Sequence, residues 1–148
     1  MVEAWIAAVP IGYFIGSIPV GLSAGRYLVG VDARAGGSGK IGATNAFRRL
    51  GLGWSIAVLI ADVSKGVIPL VIVAAAFDSP TADVIVAIAT LLGHIYPVFA
   101  GFRGGRAAAT GIGALSTLNP IAGLIALGVG VAVIGLTRVM SLAVLLGM

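Results

Sequence analysis

The sequence of 148 residues contains no cysteine and a single histidine. These absences exclude a disulfide framework, a thiolate nucleophile, a cysteine metal site and a cluster of imidazole ligands. Charged residues make up only 9% of the chain, whereas soluble domains contain roughly 25%. With 59% hydrophobic residues and a mean hydropathy of +1.16, the chain is neither disordered nor a water-soluble globule. The composition predicts a membrane protein.

Basic residues exceed acidic ones and give a formal charge of +4. In so apolar a chain, they are better explained as charges flanking membrane spans than as a surface for a nucleic-acid duplex. We therefore expect no nucleic-acid partner. The N-terminus carries Glu3 where a signal peptide has basic residues, and Pro10 interrupts the apolar run that follows, so we expect a retained first span.

Four apolar runs approach the ~20 residues that a spanning helix needs. They cover residues 4–25, 54–77, 82–100 and 121–137; a weaker candidate covers 107–118, and a last run, 141–148, is too short to cross. The sequence therefore predicts an all-α, polytopic membrane bundle. We expect about five spans plus a partial sixth, in one integral membrane domain over residues 1–148.

Basic segments alternate along the chain with turns that carry no basic residue. Apart from Lys65 inside the second span, Lys and Arg fall in segments 26–49 and 103–106 and at Arg138, whereas the turns at 78–83 and 118–120 have none. Because cytoplasmic loops collect Lys and Arg, we expect the basic segments in the cytosol and the N-terminus outside.

Small residues and prolines inside the spans predict how the helices pack and bend. The patterns Gly12xxxGly16 and Gly21xxxGly25 favour close approach between helices. Proline removes a backbone donor, so we expect kinks or local breaks at three positions. These positions are Pro10, Pro19 and Pro69.

Segment 32–49 is polar, basic and rich in glycine. Its glycines can turn backbone N–H groups inward and its Arg and Lys side chains add positive charge, which predicts an anion site, especially for phosphate. The alternative is an ordinary cytosolic loop. A GxGxxG match over 37–42 follows a membrane helix instead of a strand, and Ile41 stands after Lys40 where a Walker A motif needs Ser or Thr. Dinucleotide and nucleotide-hydrolysing loops are therefore rejected.

Segment 93–110 repeats this chemistry with Gly104, Gly105 and Arg106 at the start of a helix. His94 either donates to a phosphate or packs as a helix-end histidine. Asp62 and Lys65 lie three residues apart inside the second span, and intramembrane charges should be paired. They either form a mutual ion pair that orients the helix, or Lys65 lends its charge to the phosphate site while Asp62 holds it.

In these blocks the chain resembles the bacterial membrane glycerol-3-phosphate acyltransferases that use acyl phosphate as donor. The resemblance is carried in order by Gly16-Ser-Ile-Pro-Val-Gly21, Gly25-Arg26, Gly37-Ser-Gly-Lys-Ile-Gly-Ala-Thr-Asn-Ala46 with Arg48, Asp62 with Lys65-Gly66, Gly93-His-Ile-Tyr-Pro97 and Gly104-Gly-Arg-Ala-Ala-Ala-Thr110. It implies a multi-pass enzyme of the bacterial cytoplasmic membrane whose active site faces the cytosol. The enzyme would move an acyl group to the 1-hydroxyl of glycerol 3-phosphate, giving lysophosphatidic acid and phosphate without a cofactor or metal.

The resemblance also assigns site residues. Ser38 and Arg48 fall at the family's catalytic positions. The substrate and phosphate ligands that it implies are Gly37, Gly39, Lys40, Thr44, Asn45, Lys65, His94, Gly104, Gly105, Arg106 and Thr110. Because an acyl phosphate is already activated, such a site mainly supplies positioning and charge stabilisation.

The chain departs from the family at Lys40, where asparagine is usual, at Arg106, where lysine is usual, and at Ala107, where glycine is usual. Arginine changes the geometry of the charge, and alanine restricts a loop that needs positive φ. The family's C-terminal motif, with histidine, asparagine and glutamate, has no counterpart before Met148. We therefore expect a chain that lacks the family's C-terminal segment, binds glycerol 3-phosphate weakly and turns over slowly.

Two other functions fit the same residues: a transporter of organic phosphates and a catalytically inactive scaffold. A transporter would place substrate contacts at mid-membrane between pseudo-symmetric halves. The charges instead concentrate on one side and no such halves are found, which favours the acyltransferase.

Overall fold

The computed structural model describes residues 2–32, 34–36 and 39–137, and within these ranges it is helical and has no strand. The helices are α1 (Val2–Gly16), α2 (Val20–Ser23), α3 (Ala43–Leu50), α4 (Leu52–Ala76), α5 (Pro80–Ile95), α6 (Ala108–Leu118) and α7 (Pro120–Thr137). A π-helical turn covers Ala24–Leu28 and a 3-10 turn covers Val98–Ala100. The predicted all-α fold is confirmed, while Arg138 and the run 141–148 lie outside the described residues.

Among the described residues, 3 helical segments are long and apolar enough to cross a membrane: Val2–Tyr27, Leu52–Ala76 and Pro80–Ala100. Two apolar helical segments are shorter, Ala108–Leu118 and Pro120–Val133. Large hydrophobic side chains cover the outside of the bundle, among them Ile6, Phe14, Ile60, Ile72, Ile88 and Leu124. An exposed apolar surface of this extent is what a lipid-facing bundle requires.

The first span is interrupted at Pro19. Helix α1 ends at Gly16, and the chain resumes as α2 at Val20 before it widens into the π-helical turn. Pro10 and Pro69 behave differently, because α1 and α4 continue through them. Of the expected proline effects, only the one at Pro19 ends a helix.

Glycines let α1 approach α5 closely. A Cβ on Gly12 would lie 2.5 Å from the carbonyl oxygen of Val86, and one on Gly16 would overlap the carbonyl oxygen of Thr90. The successive contacts advance along both helices, so α1 and α5 run in the same direction. The prediction that the small residues serve helix packing is confirmed here.

The bundle has two ends that differ in chemistry. At one end, which we call the apolar end, small and branched side chains of α1, α4 and α5 form the main core: Ala4, Ala8, Leu70, Val73, Ala82 and Val86. The other end, which we call the polar end, comprises residues 17–18, 32, 34–36, 39–51, 62–65 and 93–110. There α1 and α5 end and α6 begins, so every candidate site residue that the structure describes belongs to the polar end.

Candidate active site

A buried cluster of polar side chains joins the helices at the polar end. Lys65 Nζ lies 2.8 Å from Asp62 Oδ1 and donates to the carbonyl oxygen of Ile18 at 2.9 Å. The same Nζ is 3.3 Å from His94 Nδ1, and Thr110 Oγ1 is 3.0 Å from that Nδ1. The side chains of Asp62, Lys65, His94 and Thr110 are all buried. One lysine therefore connects α4 to the break in the first span and to the end of α5.

The contacts of Lys65 bear on the two roles left open for it. An ammonium group has three N–H donors, and Asp62, Ile18 and His94 account for all of them. The predicted ion pair with Asp62 is confirmed. A substrate phosphate at Lys65 would have to displace one of these partners. The geometry thus favours Lys65 as a brace between helices, and its role as a phosphate ligand stays a prediction.

Gly104 and Gly105 pack against the end of α5. Their N–H groups donate to the carbonyl oxygens of Ile95 and His94, each at 3.1 Å. These carbonyls belong to the last turn of α5, where intrahelical donors are missing, so the glycines act as its cap. A Cβ on Gly104 would overlap the His94 carbonyl oxygen and one on Gly105 would overlap His94 Nε2. The two glycines are needed for close approach, and their N–H groups do not point into open space.

The first turn of α6 supplies other N–H groups. The backbone ladder of α6 starts with the bond from the Gly111 N–H to the Ala107 carbonyl oxygen, at 2.7 Å. Earlier N–H groups of a helix have no partner within it, and they make its N-terminus electropositive. Arg106 is exposed just before this turn. An anion at this segment would therefore meet the start of α6, rather than Gly104 and Gly105.

Ala107 precedes α6 in the left-handed region, with φ 57 and ψ 14. The family usually has glycine at this position, and the sequence analysis predicted that the loop needs a positive φ here. The structure confirms the need for positive φ. A non-glycine residue in this region costs roughly 1 kcal/mol, so Ala107 is a strained position next to the candidate anion site.

The glycine-rich segment before α3 is only partly described. Gly37 and the predicted catalytic Ser38 lie outside the described residues. Gly39 adopts φ 67 and is exposed together with Lys40, whose carbonyl oxygen accepts from buried Asn45 Nδ2 at 2.9 Å. Thr44 lies half-buried in the first turn of α3, and Arg48 is exposed in its last turn.

Arg34 ties the two glycine-rich segments together. Its Nη1 donates to the carbonyl oxygen of Ala100 at 3.2 Å, and its Nε lies 3.4 Å from Asp32 Oδ1. Buried Ile41 packs with Leu22 and Ala100 in the same region. The guanidinium of Arg34, one of the basic groups in segment 32–49, thus contacts Asp32 and the Ala100 carbonyl, and its contribution to an anion site stays a prediction.

The surroundings of Asp32 hold the pKa of its carboxyl group far below its usual range. The backbone N–H of Arg34 has the largest effect and the guanidinium of Arg26 follows, since both donate to the charged form. Asp32 therefore remains a carboxylate over the physiological pH range. It binds both Arg34 and Arg26.

The structure thus brings the predicted residues into two neighbouring groups. One group is in mutual contact and contains Lys65, His94, Gly104, Gly105 and Thr110. The other lies along the segment leading into α3 and contains Gly39, Lys40, Thr44, Asn45 and Arg48. Within the described part of the chain, no group of three or more potential metal ligands is found. Sequence reasoning missed the Ile18 carbonyl as a partner of Lys65, and only the nearby Pro19 indicated that the helix is irregular there.

The chain matches the family model described as glycerol-3-phosphate acyltransferase over residues 6–148. A glycerol-3-phosphate acyltransferase of Myxococcus xanthus (strain DK1622) is 47% identical over 137 residues, which are 92% of this chain and 71% of the relative. The enzyme of the same description from Desulforudis audaxviator (strain MP104C) is 41% identical over 140 residues, 95% of this chain and 70% of the relative.

Solved structures agree with this match. The crystal structure of PlsY (YgiH), an integral membrane glycerol 3-phosphate acyltransferase, in its glycerol 3-phosphate form has a TM-score of 0.88 and 36% identity. The alignment covers 97% of this chain and 72% of that one. Its lysophosphatidic acid form has a TM-score of 0.84, also at 36% identity, and covers 97% and 71% of the two chains. The chain thus spans about seven tenths of the length of these relatives.

Proposed function

The chain belongs to the glycerol-3-phosphate acyltransferase family, and from this premise we propose that it transfers a fatty acyl group from an acyl phosphate to the 1-hydroxyl of glycerol 3-phosphate. It is an integral membrane acyltransferase of phospholipid synthesis. The products are lysophosphatidic acid and inorganic phosphate. In the reaction the hydroxyl oxygen bonds to the acyl carbon, the bond from that carbon to the phosphate oxygen breaks, and the hydroxyl proton leaves with a phosphate.

One observation carries this proposal. The two glycine-rich basic segments, which are far apart in sequence, meet at one end of the bundle through the bond from Arg34 to Ala100 and the packing of Ile41. A transferase that joins two phosphate-bearing substrates needs two adjacent anion sites in one place. Neighbouring segments of this chemistry supply them.

We assign the roles by this arrangement and by the family resemblance. Ser38 and Arg48 serve the reacting acyl phosphate, with Lys40, Thr44 and Asn45 in support. The turn after Gly104 and Gly105, with Arg106 and the first N–H groups of α6, receives the phosphate of glycerol 3-phosphate. The residues 1–148 act as one membrane domain, and the bilayer supplies the acyl substrate.

The direct test is an assay of the full chain in liposomes with palmitoyl phosphate. We expect release of inorganic phosphate that depends on glycerol 3-phosphate, with one lysophosphatidic acid formed for each phosphate, identified by mass spectrometry. Binding of glycerol 3-phosphate with no phosphate release would overturn the transferase in favour of a transporter or scaffold. Release without dependence on glycerol 3-phosphate would indicate a phosphatase.

We also propose that the protein lies in the bacterial cytoplasmic membrane with its polar end in the cytosol and its N-terminus outside, because the basic segments share that end. The chain has no cysteine, so a thiol reagent can react only with a cysteine that is introduced by substitution. Asp78→Cys and Ala35→Cys should react with a membrane-impermeant thiol reagent from opposite faces. Labelling of both from the same face would contradict this orientation.

A further inference from the structure

The two ring nitrogens of His94 have different surroundings. Nδ1 lies 3.3 Å from Lys65 Nζ, 3.0 Å from Thr110 Oγ1 and 3.8 Å from Asp62 Oδ1. Nε2 is on the opposite side of the ring and lies against Gly105, where a Cβ would overlap it. The histidine is 3% exposed, so these contacts define its environment.

The contacts at Nδ1 fix where the ring proton resides. A lysine ammonium group is only a donor, so the nitrogen that it approaches must be an acceptor. Asp62 forms an ion pair with Lys65 at 2.8 Å, while its Oδ1 lies 3.8 Å from Nδ1, which is too far for a hydrogen bond from the ring. Nδ1 therefore carries a lone pair and Nε2 carries the hydrogen.

His94 also touches the segment after α5 at both ends. Its carbonyl oxygen accepts from the Gly105 N–H at 3.1 Å, and its ring packs on the same glycine. Its Nδ1 contacts Thr110 in the first turn of α6. One side chain thus spans the turn that connects the glycine pair to α6.

We propose that Lys65, Asp62 and Thr110 hold His94 in the tautomer protonated at Nε2, and that His94 so held is a positioning residue for segment 104–110. It acts on glycerol 3-phosphate through the conformation of this segment and not by direct contact. This inference rests on the proposed function only where it assigns the segment to glycerol 3-phosphate.

The tautomer can be measured without any turnover. Because the chain has a single histidine, 15N NMR of protein labelled at the imidazole gives one assigned ring. In the full chain in detergent we expect an unprotonated Nδ1 and a protonated Nε2. The double variant Asp62→Asn, Lys65→Met should lose this preference, and Thr110→Val provides a second variant should the double variant not fold. A proton on Nδ1 in the unmodified chain would overturn the proposal.

Kinetics separate positioning from direct binding. His94→Asn keeps an acceptor near the place of Nδ1, His94→Gln places an amide near Nε2, and His94→Leu keeps neither. We expect His94→Leu and His94→Gln to raise the KM for glycerol 3-phosphate about tenfold or more while the KM for palmitoyl phosphate hardly changes. His94→Asn should recover most of the loss.

Rescue by His94→Gln and not by His94→Asn would overturn the proposal, because it would mean that Nε2 meets the substrate. Equal changes in both KM values, or only a loss of kcat, would also overturn it in favour of a general structural role. If the unmodified chain showed no activity with glycerol 3-phosphate, the proposed function would fail and the loop-positioning half with it. The NMR result would still decide the tautomer.

Discussion

At the apolar end of the bundle, α1, α4 and α5 meet through side chains such as Ala8, Val73 and Val86, whereas at the polar end the same helices meet through Lys65 and His94. The difference follows from where the helices stop. At the polar end the first span is broken between Gly16 and Val20, and the Ile18 carbonyl there accepts from Lys65 as well as from the Val20 N–H. Helix α5 ends at Ile95, whose carbonyl accepts from Gly104. Inside a membrane, water is not available to donate to such carbonyl groups, so the protein itself must provide the hydrogen-bond donors.

The polar end therefore has two tasks that the apolar end does not have. Its side chains and backbone N–H groups bond carbonyl groups at the helix breaks, and the breaks create the turns that carry the candidate site. Lys65 and Gly104 take part in the first task through Ile18 and Ile95. The helix breaks that form the turns and the buried polar groups that stabilise these breaks therefore lie in the same part of the molecule.

The largest expected effect comes from breaking the buried pair. Asp62→Asn leaves Lys65 charged and without its counterion, which should lower the free energy of unfolding by about 3 kcal/mol or more. The double variant Asp62→Asn, Lys65→Met removes both charges and should recover part of that loss. Thermal melting in detergent measures both.

The same chemical change at the other end provides the control. Asp83 lies in the first turn of α5, and its Oδ1 is buried without a hydrogen-bond partner among the described residues. Asp83→Asn should therefore change stability by less than about 1 kcal/mol, the range of a charge near a helix terminus. Equal losses for Asp62→Asn and Asp83→Asn would contradict the contrast between the two ends.

A smaller effect is expected at Ala107, whose φ of 57 is unfavourable for alanine. Ala107→Gly should raise the free energy of unfolding by about 1 kcal/mol. It should also tighten binding of glycerol 3-phosphate, most clearly when combined with Arg106→Lys.

Ala108→Gly, one position later, is the matched control because Ala108 is already helical. It should lower stability by up to about 1 kcal/mol, since glycine is a poor helix residue. Melting temperatures that move in the same direction for Ala107→Gly and Ala108→Gly would refute the strain at Ala107.

The smallest effect concerns Asp32 and pH. A carboxyl whose pKa is lowered in the folded state contributes stability above its unfolded pKa near ~3.9, and this contribution is lost as pH falls toward its folded value. Because the pair with Arg26 is largely exposed, the contribution should stay below about 1 kcal/mol. Asp32→Asn should melt slightly lower than the unmodified chain at pH 7, and the difference should shrink as pH falls below 4. A constant difference would show that the charge of Asp32 is not responsible.

Several features of the polar end could be predicted from the sequence, because they depend on which residue types occur there. Charge alternation along the chain placed the segments around Arg48 and Arg106 on one side, and the cost of intramembrane charge predicted the pairing of Asp62 with Lys65. The need for positive φ at Ala107 followed from the glycine that the family has there.

Tertiary partners were not predictable in the same way. Pro10, Pro19 and Pro69 look alike in the sequence, yet of these three only Pro19 lies at a helix break, where Lys65 from another helix bonds the carbonyl of Ile18. The bond from Arg34 to the carbonyl of Ala100 joins residues that are 66 positions apart, and nothing in the sequence indicates it. The N–H groups of Gly104 and Gly105 likewise looked free, because nothing in the sequence shows that they fold back on α5.

The most direct test of the account compares one variant from each end in the same assay. The rates to be measured are those of phosphate release from palmitoyl phosphate, dependent on glycerol 3-phosphate, for the unmodified chain, Arg48→Ala and Leu70→Ala, each below its melting temperature. The account predicts that Arg48→Ala, at the exposed end of α3, loses ~10²-fold or more in rate while keeping its melting temperature. Leu70→Ala, in the buried core of the apolar end, should melt lower but keep its rate. Full activity of Arg48→Ala, or an equal loss of rate in both variants, would contradict the assignment of acyl transfer to the polar end.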